Sequence, residues 1–145
     1  MTGQTDTIVP TPEAEGPDER IRVVLVDGRR DRRSVMRQVF EHSGVDATVV
    51  AEADTGADAV ALIEQHGASV AVVELHHPLT DGLAAVAELR RGLPELTIVV
   101  TSFAADSAIR SQVLDGGADA YLVKPVSARE VMAAVPSAPP VDTAG

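Results

Sequence analysis

Between residues 20 and 135 the chain alternates short apolar runs with amphipathic stretches. The runs Ile21–Val26, Ala47–Ala53, Ser69–Glu74, Leu96–Thr101 and Ala118–Val123 are nearly continuous in apolar residues. That pattern predicts strands covered on both faces rather than strands with one wet side. The stretches between and after them predict helices at about Asp31–His42, Gly56–His66, Gly82–Arg91, Ala105–Asp115 and Ser127–Val135. In the first helix Val35, Met36, Val39 and Phe40 share a face and are predicted to point inward, with the arginines outward. In the third, Leu83, Val86, Ala87 and Leu89 follow the same spacing. Gly44, Gly67, Gly92 and Gly116-Gly117 each follow a predicted helix, where a left-handed terminating residue is cheapest. Five strand–helix units in succession imply an α/β fold: a five-stranded parallel sheet flanked by helices.

The two ends differ from this middle. Residues 1–19 are rich in Thr, Pro, Asp and Glu and are predicted to be a disordered acidic tail; residues 136–145 read as a flexible tail. Only Phe40, Phe103 and Tyr121 are aromatic, so the core must be built from Val, Leu, Ile and Ala. The absence of cysteine excludes disulfides and thiolate chemistry. No apolar run approaches the roughly 18 residues of a membrane span, and a cytoplasmic protein with no membrane partner is expected. A net charge of −10 argues against a surface built for nucleic acid. Yet residues 20–37 hold seven of the eleven arginines, next to the five acids of residues 1–19. The run Arg29 to Arg37 therefore has three readings: a solvated helix face, a docking site for a partner or for the acidic tail, or a nucleic-acid patch.

Candidate chemistry sits at the carboxyl ends of the strands, where ligands bind in open parallel sheets. Asp27 ends the first, Glu74 the third, Thr101 the fourth and Lys124 the fifth. Lys124 is the chain's sole lysine. Its flexible ammonium neutralises clustered carboxylates at Asp27 and Glu74 in the simplest account. His76-His77 lacks a third ligand at suitable spacing, so no metal site is predicted there. There is no glycine-rich phosphate loop and no nucleophile elbow.

The ordered set Val-Leu-Val-Asp27-Gly28, Val-Val-Glu74, Pro78-x-x-Asp81-Gly82, Val-Val-Thr101-Ser102 and Tyr121-Leu-Val-Lys124-Pro125 resembles the receiver domain of bacterial response regulators. The resemblance spans residues 20–135 and implies a flavodoxin-like fold with strand order 2-1-3-4-5. It also implies two-component signalling, in which an aspartate ending the third strand accepts a phosphoryl group from a histidine kinase. Two adjacent acids after the first strand help to hold Mg²⁺ in that family. The threonine and lysine contact the phosphoryl group, and an aromatic on the fifth strand, here Tyr121, reorients. The fourth helix, fifth strand and fifth helix form the family's contact face, which makes Arg110, Gln112, Tyr121 and Arg129 candidate contacts with a protein partner or a second copy.

Two of the three acidic positions depart from the family pattern. Glu74 stands at the phosphoacceptor position, and Gly28 replaces the second member of the acid pair. Mg²⁺ demands near-octahedral oxygen ligands, and a misplacement of about 1 Å can cost about 100-fold in rate. The expectation is a non-enzymatic, stand-alone, atypical receiver that signals by protein contact without phosphorylation, uses no cofactor and binds Mg²⁺ weakly or not at all. Whether Glu74 holds an active-like or an inactive state is left open. The rival readings are a working phosphoacceptor, through Glu74 or another acid such as Asp81, and a basic-helix regulator bound to nucleic acid or RNA polymerase.

Overall fold

The computed structural model describes residues 20–76 and 79–136. The tails at 1–19 and 137–145, His77, and any contact between the acidic tail and the arginines lie outside the described residues. The elements run β1 (Ile21–Val26), α1 (Arg30–Glu41), β2 (Ala47–Ala53), α2 (Gly56–His66), β3 (Val70–Glu74), α3 (Thr80–Gly92), β4 (Thr97–Ser102), α4 (Ser107–Asp115), β5 (Ala120–Val123) and α5 (Ala128–Ala133). The strands form one parallel sheet in the order β2-β1-β3-β4-β5.

Successive residues of a strand point to opposite faces, and here both faces are packed. Val24, Val26, Ala71, Val73, Ile98 and Val100 belong to the core beneath α2, α3 and α4. Val23, Leu25, Val70, Val72 and Val99 pack with Phe40 of α1 and Val131 of α5 on the other side. That double burial explains why the strands read as continuous apolar runs. β5 starts two residues later than the sequence suggests. The Asp119 carboxylate accepts the Ile98 N–H at 2.8 Å and pairs with Arg90, holding the chain before the strand ladder begins.

Helix ends follow local chemistry. Thr55 caps α2 by accepting from the Asp58 N–H, and Gly67 closes it at φ 66°. Asp106 caps α4, so that helix begins at Ser107 rather than Ala105. Ser127 and Glu130 form a reciprocal capping box that sets the start of the short α5. Of the glycines predicted to be left-handed, Gly44, Gly67 and Gly117 are; Gly92 remains within α3, and Gly116 has φ −75°.

Two helix faces differ from the sequence reading. In α1 the inward positions are Arg33, Met36 and Phe40, spaced by three and four, which turns Val35 outward to 61% exposure. Arg33 is 6% exposed because β2 carries carboxylates beneath it. Its Nη1 lies 2.6 Å from Asp54 Oδ1, and its Nε lies 3.5 Å from Glu52. Arg37 pairs with Glu52 as well and reaches Glu41 at 3.8 Å. Two arginines of the basic run are thus spent on internal pairing, while Arg29 and Arg30 are exposed. In α3 the buried positions are Gly82, Ala85, Val86 and Leu89, and Ala87 faces solvent.

Candidate functional site

Strand register brings the polar residues together. Glu74 is directly paired with Thr101 across β3 and β4. Asp27 follows β1 and donates its N–H to the Ala53 carbonyl at 3.0 Å; Lys124 follows β5 and donates its N–H to Ser102 at 2.8 Å. All four candidates therefore stand on the same edge of the sheet, each fixed by a backbone hydrogen bond or a ladder position. Asp27, Glu74 and Thr101 are buried.

Glu74 is held from two sides. The Thr101 hydroxyl donates to Oε1 at 2.7 Å, and the Lys124 ammonium forms an ion pair with Oε2. Both partners are largely buried, a setting in which charge-assisted hydrogen bonds are strong and an unpaired charge is costly. Lys124 Nζ also lies 4.9 Å from the centroid of the Phe103 ring, in cation–π range. Phe103 itself is 66% exposed, so this contact forms the outer rim of the site.

Tyr121 is turned inward. Its hydroxyl donates to the Ala104 carbonyl at 2.6 Å, tying β5 to the loop after β4. Arg110 of α4 donates to the Tyr121 carbonyl at 3.3 Å. The ring is buried, so Tyr121 adds little to the outer surface on which Arg110, Gln112 and Arg129 are exposed.

Asp27 has different neighbours. His76 Nε2–H donates to its Oδ1 at 2.8 Å, and the Arg29 backbone N–H donates to the same oxygen at 2.9 Å. The acceptor role of the carboxylate places the proton on Nε2 of the imidazole. Sequence reasoning set His76 aside as an ordinary loop residue. Its position two residues past Glu74 was visible, but the direction of the loop was not.

Beside Asp27 opens a cavity of about 510 Å³ between the ends of β1 and β3 and the first turns of α2 and α3. Asp27, Asp54, Glu74, Asp81 and Glu88 line it together with Arg29 and His76. Gly28 also lines it, and a Cβ there would meet only the Asp54 carbonyl, at 3.8 Å. Across this cavity α2 and α3 pack tightly, because a Cβ at Gly56 would come within 2.8 Å of Ala85 Cα. Among the described residues, no three His, Cys, Asp or Glu side chains are grouped so as to hold a metal ion. No helix among them is long and apolar enough to cross a membrane.

Comparison with known proteins identifies the family and the fold. The profile of the response regulator receiver domain matches residues 23–136. The chemotaxis protein CheY of Bacillus subtilis is 26% identical over 114 residues, which cover 79% of this chain and 93% of CheY. The transcriptional regulatory protein DegU of Brevibacillus brevis is 26% identical over 118 residues, 81% of this chain. The match spans half the length of DegU. The solved signal receiver domain of NarL from Mycobacterium tuberculosis superposes with a TM-score of 0.67 at 32% identity, covering 81% of this chain and 94% of that domain.

Proposed function

Because the chain belongs to the response regulator receiver family of two-component signalling, we propose that it is a receiver held in one conformation by its own Glu74 and acting by protein contact, without phosphorylation. The observation that carries this reading is the pairing of Glu74 with both Thr101 and Lys124. The groups that would contact an incoming phosphoryl group are engaged by a carboxylate already present. That carboxylate supplies one charge and two oxygens, against a phosphoryl group's roughly −1.5 to −2 and three oxygens. It is an incomplete substitute, yet it reaches both partners. Tyr121 is buried in the same structure, and we read the pair as one coupled arrangement: Thr101 drawn to Glu74, Tyr121 drawn in.

The same reading excludes a resident Mg²⁺. The ion needs carboxylate oxygens free to enter an octahedral shell. Both Glu74 oxygens have partners, one Asp27 oxygen is shared by two donors, and residue 28 has no side chain to contribute. This donor set does not fit the ion. Protein contact is then assigned to the α4–β5–α5 face, where Arg110, Gln112 and Arg129 are exposed. A second copy is one candidate for that face.

The test is an NMR titration with Mg²⁺ and then beryllofluoride on the wild type and on Gly28→Asp/Glu74→Asp. The Cβ of an aspartate at 28 would meet only the Asp54 carbonyl, at 3.8 Å. Silence in the wild type and saturable shifts around residues 27, 74, 101 and 124 in the double variant are expected. Saturable shifts in the wild type would overturn the proposal and favour a working phosphoacceptor.

A further inference from the structure

Arg33 is buried beneath the site, and the network around it is incomplete. Nη1 is satisfied by Asp54 at 2.6 Å. Nε lies 3.5 Å from Glu52 Oε1, in ion-pair range, but makes no hydrogen bond and is shielded from solvent. A buried N–H without an acceptor is rare and is commonly met by internal water. Arg33 also borders a small pocket of about 10 Å³ whose other polar walls are Asp27 and Glu74, closed by Met36 and Val72. That is close to the minimum space for one water molecule, roughly 10–15 Å³.

We propose that one water molecule occupies this pocket, accepting from Arg33 Nε–H and donating to Asp27 and Glu74, so that Arg33 is linked to both carboxylates through it. A guanidinium suits the task. It stays charged at any working pH, and its planar fork of donors can serve carboxylates on more than one side. Glu52 and Asp54 at the β2 end fix the plane of the group, and Nε–H is the donor left without a hydrogen bond. Clustered carboxylates at adjacent strand ends otherwise repel one another or recruit a cation from solution. Lys124 supplies that positive charge directly at Glu74, and Arg33 adds to it through the water. It is a positioning residue: it holds Asp27 and Glu74 in place through the water. The inference rests on the reading that the site works without a metal ion, and it names a second cation that supports Lys124 there.

Two measurements test it. A crystal structure of the wild type should show an ordered water within about 3.2 Å of Arg33 Nε and of both carboxylates. A dry pocket, or a water that does not touch Nε, would overturn the proposal. The second measurement is a Mg²⁺ titration followed by amide shifts at residues 27, 28 and 74. In the Gly28→Asp/Glu74→Asp background, where the donor set is restored, Arg33→Met removes a competing charge and should tighten the Mg²⁺ titration about tenfold; Arg33→Lys keeps the charge and should leave it unchanged. Arg33→Gln serves as a second neutral variant where the methionine form does not fold. A folded neutral variant that binds Mg²⁺ no more tightly than its Gly28→Asp/Glu74→Asp parent overturns the role of Arg33 alone. Shifts in the wild type overturn both this inference and the functional reading on which it rests.

Discussion

The two halves of the strand-end site are built in opposite ways. Toward β4 and β5, Glu74, Thr101 and Lys124 close on one another, and both carboxylate oxygens have partners inside the protein. Toward β1 and β2, Asp27, Asp54, Asp81 and Glu88 surround an open cavity of about 510 Å³. The closed half shields its ion pair from bulk water, and it is correspondingly intolerant of losing one partner. In the open half water screens the exposed Asp54 and Asp81, so their contacts matter less, while Asp27 is itself buried. Both departures from the family pattern push the same way. The longer side chain at 74 fills one half from within, and the missing side chain at 28 leaves the other half empty.

The contrast predicts a graded series. Lys124→Met leaves the Glu74 charge buried beside a single hydroxyl and should cost about 3–5 kcal/mol in urea unfolding. Adding Glu74→Leu to that variant should recover most of the loss. A cost under about 1 kcal/mol for Lys124→Met would show that the closed half is not dry. Thr101→Val keeps shape but removes a hydrogen bond to a charged group, and about 2 kcal/mol should be lost. It should also loosen Tyr121, which ring-proton NMR can follow; an unchanged ring would break the coupling between the two. His76→Ala removes one of two donors to Asp27 beside the cavity, with an expected loss of about 1 kcal/mol by the same unfolding assay. If it costs as much as Thr101→Val, the halves do not differ as described. Gly28→Ala is the smallest effect and has the opposite sign. The backbone there is not left-handed and a Cβ has room, so a gain of about 0.5 kcal/mol is expected from a stiffer unfolded chain.

Much of this was legible in the sequence for a simple reason. A strand buried on both faces must be apolar until it leaves the sheet, so its first polar residue marks the carboxyl end. That rule alone located Asp27, Glu74, Thr101 and Lys124. It gave the strands to within two residues, because burial and hydrogen bonding stop together there. Capping chemistry trimmed the helices: Asp106 starts α4 and Ser127 starts α5.

Arg33 and Val35 show where the same logic fails. An amphipathic reading sends arginine out and valine in, yet the structure does the reverse. The missing information was on another element: Glu52 and Asp54 flank Ala53 at the end of β2, where α1 lies over them. Acids on a covered strand were a signal that a cation must come from somewhere. Nothing in the spacing said which of seven nearby arginines would supply it. His76 failed for a related reason, since loop direction depends on what the following helix packs against.

The sequence by itself determined the sheet, the family, and the presence of a glutamate where the family carries an aspartate. These depend on local periodicity and on which residue types occupy strand ends, and both are properties of short segments. Only the tertiary structure decided that Glu74 meets Thr101 and Lys124, that Asp27 meets His76, and that Arg33 lies buried beneath the site. Those pairings join residues 27 to 50 positions apart in all but one case, the nearest being 21 apart. Their partners are selected by strand order and by the exclusion of water, neither of which is written in any one segment.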